Sequence, residues 1–251
     1  MNNLLIAFPE KTEKERIRIA KDFYRNFIDT FIETIKLISV TKKQLEKRVS
    51  INAEVLNDIF PSGQSIVIAT GHFFNWEFAN LSVSAFGKHR FIGIYMSVSN
   101  KIFNRLIHQM RSKFGTILIA VKDFRNEYPN YKKEQHAIGL VADQNPGNPA
   151  NGFWYPFFGK MAPFVKGPER TSKNLNAAIV LLDFHKVKRG YYKMDFQLLT
   201  KTPKEFAEGE ITKQLVHFIE DCIKRNPSNY LWSHRRWKHQ FDAEKHGHLV
   251  I

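Results

Sequence analysis

The sequence predicts a single α/β domain: a mostly parallel central sheet flanked by helices, with an amphipathic helical segment at its amino terminus. Three observations carry that prediction. Five short apolar runs rich in Ile and Val recur along the chain, at Ser65 to Thr70, Arg90 to Tyr95, Thr116 to Val121, Ala137 to Ala142 and Ala177 to Phe184. Helix-like stretches at 75–87, 100–114, 129–135 and 166–175 separate them, as expected of strands covered on both faces by crossover helices. Finally, 251 residues with 43% hydrophobic and 25% charged side chains suit one large domain with a packed core and exclude wholesale disorder.

The elements follow in order. Residues 1–60 read as helical and packed on the α/β region at 61–251. After Pro9, Thr12 and Glu15 form a capping-box pair. Ala20, Phe23, Phe27, Phe31, Ile35 and Ile38 then recur at spacings of three and four, with Lys14, Arg16, Arg18, Lys21, Arg25 and Lys36 around them. This stripe fits a helix packed on a core, a basic helix lying on a bilayer, or one that does both. Thr41 and Gln44 repeat the capping box for a second short helix. Pro61-Ser62-Gly63 opens the alternation of strands and helices. Arg189-Gly190 marks a tight turn before a further strand, Tyr191 to Thr200, predicted to be antiparallel. Thr202-Pro203-Lys204-Glu205 starts a helix running to about Arg225. The connection at 143–165 is anomalous: Pro146, Gly147, Pro149, Gly152, Pro156, Gly159 and Pro163 alternate with aromatic residues. A structureless loop of this length in a compact domain is usually functional.

Composition narrows the function classes. Lys and Arg number 38 against 24 Asp and Glu, a net charge of +14. That balance favours anionic partners such as nucleic acid, an acidic protein or an anionic membrane surface. The 22 Phe residues exceed what an interior accommodates, so some are expected to line a cleft or face lipid. A lone cysteine, Cys222, excludes a disulfide framework and any multi-cysteine metal site. No run approaches the roughly 18 to 20 apolar residues of a membrane span, and Met1 to Phe8 is too short and uncharged for a signal peptide. The expectation is a soluble or membrane-peripheral chain. There is no Gly-x-Gly-x-x-Gly fingerprint, P-loop, Gly-x-Ser-x-Gly elbow or His-Glu-x-x-His pair. The enzyme classes built on those motifs lose their support.

Five places in the chain are candidates for chemistry. Gly71-His72-Phe73-Phe74-Asn75-Trp76-Glu77 follows the first strand directly. His72 and Glu77 would lie about 140° apart on one continuous helix. They cooperate only if His72 sits in the turn, with Asn75 as N-cap and Glu77 in the first helical turn. The spacing itself recurs at His239 and Glu244, so position is the stronger signal: ligands gather at the carboxyl ends of parallel strands. His72 is there either a structural residue or a base that activates a hydroxyl. Arg111, ending the basic stretch from Asn100, is a solvated cation or an anion clamp. Asp143 and Gln144 leave the strand Ala137 to Ala142, so Asp143 lines the crevice of His72 or caps the Pro146-Gly147 turn. Glu169, in a helix's first turn, is most simply a carboxylate opposing the helix dipole. Tyr230 to Lys238 combines two Trp with basic residues, a composition that fits single-stranded nucleic acid or a membrane interface.

Taken in order, these patches resemble the bacterial lipid A biosynthesis acyltransferases, the late lauroyl- and myristoyl-type enzymes within the wider glycerophosphate and lysophospholipid acyltransferases. The resemblance runs from Phe8-Pro9-Glu10 through Gly71-His72-x4-Glu77, Asn100 to Arg111, Asp143-Gln144-x-Pro146-Gly147 and Phe157-Phe158-Gly159 to Trp232-x-His234-Arg235-Arg236-Trp237-Lys238. Its fold would be the glycerophosphate acyltransferase type. It implies transfer of a fatty acyl group from acyl carrier protein or coenzyme A to a hydroxyl of a lipid acceptor, with no cofactor and no metal. His72 would be the general base and Glu77 its orienting partner. Arg111, Asp143, Gln144, Glu169 and Asn75 would contact substrates. The implied partners are the thioester donor, a lipid A precursor and an anionic membrane surface, with no nucleic acid. The implied place is the cytoplasmic face of the bacterial inner membrane, in lipopolysaccharide biosynthesis. Relatives usually carry an apolar spanning helix before the Phe-Pro-Glu segment, just where this chain begins, and often Asp in place of Asn145. Alternatives are transfer to a lysophospholipid or another membrane lipid and, in a different class, a basic nucleic-acid-binding protein.

Overall fold

Both capping boxes form, and each starts a helix where its residues predict one. Thr12 accepts from the Glu15 amide while the Glu15 carboxylate accepts from Thr12, and Thr41 and Gln44 do the same. In the computed structural model, which describes residues 1–251, helices α1 (Asn2–Ala7), α2 (Glu13–Leu37) and α3 (Lys42–Glu46) open the chain. They lead to β1 (Val49–Asn52), α4 (Glu54–Ile59) and β2 (Ile66–Thr70). Next come α5 (Trp76–Phe86), β3 (Arg90–Tyr95), α6 (Lys101–Arg111), β4 (Ile117–Ala120), α7 (Phe124–Glu127) and β5 (His136–Val141). A hairpin of β6 (Gly152–Phe157) and β7 (Lys160–Val165) precedes α8 (Gly167–Leu175). The chain closes with β8 (Ala178–Lys188), β9 (Tyr191–Thr200), α9 (Glu210–Arg225) and α10 (Ala243–His246).

Seven strands form the main sheet in the order β1-β9-β8-β2-β5-β3-β4. The five from β8 to β4 run parallel, whereas β9 is antiparallel to β8, as the turn at Gly190 predicts, and β1 lies parallel to β9 at the edge. Successive strand residues alternate between two cores. Val67, Ala69, Ile179 and Leu181 join the cluster beneath α1, α2 and α9, while Ile66, Ile68, Val180 and Leu182 join the one beneath α3, α4 and α5. Both faces are therefore apolar, which is why the strands read as unbroken hydrophobic runs. No helix is long and apolar enough to cross a membrane.

Four expectations change. Segment 1–60 is not helical throughout, since its strand β1 pairs with β9. The stretch 129–135 is a 3-10 turn and coil after α7 rather than a helix, with Pro129 inside the turn. The helix expected from Thr202 starts at Glu210, after a separate 3-10 turn at Pro203–Glu205. Most decisively, the 143–165 connection is not a loop. Half of it is the β6–β7 hairpin, and Phe153, Trp154, Phe157, Ala162 and Phe164 are buried.

The site is positioned by strand order. The chain leaves β2 toward β3 and β4, returns to β5 between β2 and β3, and then crosses to β8 on the far side of β2. Connections from β2 and β5 thus depart in opposite directions, which opens a crevice at the carboxyl ends of these two neighbours.

Candidate active site

His72 lies two residues beyond β2 and Asp143 two beyond β5, so adjacent central strands deliver them to that crevice. The His72 Nδ1 stands 2.6 Å from Asp143 Oδ1, and the His72 backbone N–H donates to the same oxygen at 3.0 Å. Asp143 is fully buried and His72 about a quarter exposed. Burial disfavours both charged forms, yet their mutual attraction and hydrogen bond outweigh it. The His72 pKa rises and that of Asp143 falls. With Nδ1 held by a carboxylate, Nδ1 carries the proton in the neutral ring and Nε2 is the basic nitrogen. The Tyr230 hydroxyl is buried beside Asp143 without a well-aligned hydrogen bond, and burial followed by the carboxylate's charge pushes its pKa well up.

Glu77 does not meet His72. It sits in the first turn of α5, where its carboxylate takes a fork from Arg111 of α6: Nη2 to Oε1 at 2.6 Å and Nε to Oε2 at 2.9 Å. Burial works to lower the Arg111 pKa, but the Glu77 bonds and charge raise it. Trp76 fills the space between the two pairs. Its ring packs edge-on against His72 at 6.1 Å between centroids, and its indole N–H donates to Glu77 Oε1 at 3.1 Å. The expected His72–Glu77 contact is therefore replaced by His72–Asp143, because α5 starts at Trp76 and carries Glu77 toward α6.

Beyond the Glu77–Arg111 pair opens a cavity of about 220 Å³. Phe27, Phe31, Trp76, Tyr95, Phe103, Ile107 and Leu118 make its walls largely apolar, with the ion pair as its charged part. A base paired with a buried carboxylate, next to an apolar cavity, suits activation of a hydroxyl on an amphiphilic molecule.

Comparison with known proteins gives the family. The family model described as "Bacterial lipid A biosynthesis acyltransferase" matches residues 1–239. The chain belongs to that family. It is accordingly an acyltransferase. The lipid A biosynthesis lauroyltransferase of Escherichia coli (strain K12) is 23% identical over 243 residues, covering 94% of this chain and 77% of that protein.

The remaining predicted site residues of the acyltransferase divide by burial. Gln144 is half-buried in the bend after Asp143. Asn75 is wholly buried and caps α5, its side chain accepting from the Glu77 amide at 3.1 Å and donating to Glu33 at 3.4 Å, so it supports the site from behind. Glu169 is also buried and ties α8 to the start of α9. It accepts from Lys173 Nζ, the Gly209 and Thr212 amides and the Thr212 hydroxyl, which occupies both oxygens. Glu169 thus offers no free atom to a substrate, and Asn75 has no exposed surface.

The basic aromatic segment at 230–238 turns inward. Tyr230, Trp232 and Arg236 are buried, Trp232 donates to Pro227 O, and Trp237 stacks on Phe157. These rings are packed against the domain rather than presented side by side as a stacking platform. Arg236 was hidden from sequence reasoning as one cation among several. It donates to Asn145 Oδ1 at 2.6 Å and Pro163 O at 2.8 Å, with its guanidinium 4.0 Å above the Phe164 ring. Burial lowers its pKa to about 10, against the nearby negative charge of Asp143. Asn145 also bonds His234 and Arg235, so this segment clamps the chain leaving Asp143. The signal for it is the pairing of an Asp-Gln-x-Pro-Gly turn with a distant Arg that has no acidic neighbour in sequence.

Proposed function

We propose that the protein transfers a fatty acyl chain from an acyl thioester, on acyl carrier protein or coenzyme A, to a hydroxyl of a lipid A precursor, with His72 as general base. The carrying observation is the 2.6 Å contact between His72 Nδ1 and the buried Asp143 carboxylate. Nε2 takes the acceptor's proton, and the freed oxygen bonds to the thioester carbonyl carbon. The carbon–sulfur bond then breaks, and the departing thiolate recovers the proton from His72. Asp143 stabilises the imidazolium formed between these steps and fixes the ring. In this reading Asp143 fills the orienting role that the family resemblance implied for Glu77.

Glu77 and Arg111 set the charge of the adjoining cavity. Arg111 meets a substrate phosphate with Nη1, the edge that Glu77 leaves free. Gln144, next to Asp143, borders the reacting groups.

Acyl transfer in mixed detergent micelles tests the reading. Purified protein and His72→Ala would each receive acyl carrier protein or coenzyme A thioesters, with a lipid A precursor and a lysophospholipid panel as acceptors and mass spectrometry as readout. A His72-dependent mass gain of one acyl chain on the lipid A precursor is expected. Gain on a lysophospholipid alone would move the acceptor to that class, and transfer unaffected by His72→Ala would remove the base.

A further inference from the structure

Helix α2 has two apolar faces, and only one is covered. Phe23, Thr30, Glu33 and Leu37 point into the domain. The other face is solvent-exposed. Between residues 24 and 36 the exposed positions are Tyr24, Arg25, Ile28, Phe31, Ile32, Ile35 and Lys36, each apolar or basic. Ile35 is 69% exposed and Phe31 58%. An aliphatic and aromatic stripe of this length on a soluble surface is a feature with a purpose.

Helix α6 repeats the composition. Its exposed positions are Lys101, Ile102, Phe103, Arg105, Leu106, His108 and Gln109, again without a carboxylate. Ile102 is 84% exposed, and Met96, in the segment leading to the helix, 80%. Both helices line the cavity beside Glu77 and Arg111, and their carboxyl ends are joined by Lys113 Nζ donating to Ile38 O at 2.9 Å. Phe31 and Phe103 line the cavity yet remain half or more exposed, so they mark its mouth.

We infer that the exposed faces of α2 and α6 form one surface that seats the protein on an anionic lipid bilayer, with the cavity mouth opening into the lipid. The charge pattern selects this occupant. Cations beside an apolar strip, with Asp22 paired to Arg25 at 2.9 Å as a partly exposed acid at its edge, match an interface of acidic headgroups over acyl chains. A second copy would bring the same cations against themselves. The inference rests on the acyl-transfer reading only for why the mouth faces lipid: a lipid acceptor then enters without crossing water. Attachment itself is independent of turnover.

The test separates the two. Binding to vesicles of phosphatidylglycerol and phosphatidylcholine, and to phosphatidylcholine alone, would be measured by sedimentation at low and high salt. The quadruple variant Ile28→Ser, Ile32→Ser, Ile35→Ser, Ile102→Ser alters no residue lining the cavity. It is expected to lower partitioning into anionic vesicles by at least about tenfold, as loss of four buried aliphatic groups requires, while acyl transfer in detergent micelles stays at the wild-type level. Lys101→Glu with Arg105→Glu should remove most of the preference for phosphatidylglycerol and its salt dependence. Unchanged partitioning in both variants would overturn the surface. So would a wild-type dimer in sedimentation velocity that the quadruple variant dissociates, since the stripe would then belong to a second copy. Inactivity in micelles with vesicle binding intact would instead count against the enzymatic reading alone.

Discussion

The His72–Asp143 and Glu77–Arg111 pairs both join a buried carboxylate to a nitrogen base, and Trp76 touches both. They differ in what each leaves available. Asp143 holds only one nitrogen of His72, and the ring's other nitrogen remains free to exchange a proton. Glu77 takes Arg111 by two parallel bonds, and a guanidinium does not deprotonate at ordinary pH. One pair is poised to move a proton, and the other is a fixed charge pattern in the wall of an apolar cavity. Motif spacing links His72 to Glu77, but hydrogen bonding links it to Asp143. A carboxylate acts through the group it touches.

Substitutions test this contrast. The largest effect is expected for His72→Ala: turnover should fall roughly 100- to 10,000-fold, together with a lowered Tm, because buried Asp143 loses its hydrogen-bond partner. His72→Asn, whose amide can still donate to Asp143, should lose as much turnover with a Tm nearer the wild type; turnover restored along with Tm would make His72 structural. Asp143→Asn should follow, with turnover down roughly 100-fold or more and the pH profile displaced. The carboxylate raises the His72 pKa against burial, so the wild-type rate should climb as pH rises through that raised value and the base deprotonates. Without the carboxylate burial prevails, and the acid limb should shift to lower pH beneath a reduced plateau. A limb that stays in place in Asp143→Asn but moves in Glu77→Gln would return the orienting role to Glu77.

Glu77→Gln is expected to act mainly on stability. It leaves Arg111, 23% exposed, without its counter-charge, at a cost of about 3 kcal/mol read as a lowered denaturant midpoint. The position of its pH limb should match the wild type. The smallest change in catalysis belongs to Glu169→Gln, which weakens the bonds to Lys173 and the start of α9 at about 1–2 kcal/mol. Its apparent KM values for both substrates should be unaltered, and a selective rise in one would give Glu169 a substrate.

Much of the fold was legible because the signals were local. Capping boxes at Thr12 and Thr41 involve residues three apart, and the Gly190 turn needs only its own backbone freedom at φ +72°. The apolar runs reported burial on both faces without reference to neighbours. The 143–165 segment was misread because Pro and Gly mark turns and strand ends alike. Here Gly159 closes the turn of a hairpin whose aromatic side chains face inward. Asn75 and Glu169 looked available to substrates because polarity is visible in sequence, whereas burial is not.

The sequence by itself determined the α/β class, the helix starts after Thr12 and Thr41, the strands buried on both faces and the presence of His72, Asp143 and Arg111 at chain turns. Each follows from local pattern and the chemistry of single side chains. Only the tertiary structure decided that β5 lies beside β2, which places Asp143 against His72 from 71 residues away. It also decided which apolar face of α2 is covered and that Arg236 and its aromatic neighbours pack inside. Strand order and the facing of helices are settled by contacts distant in the chain, and no local spacing encodes them.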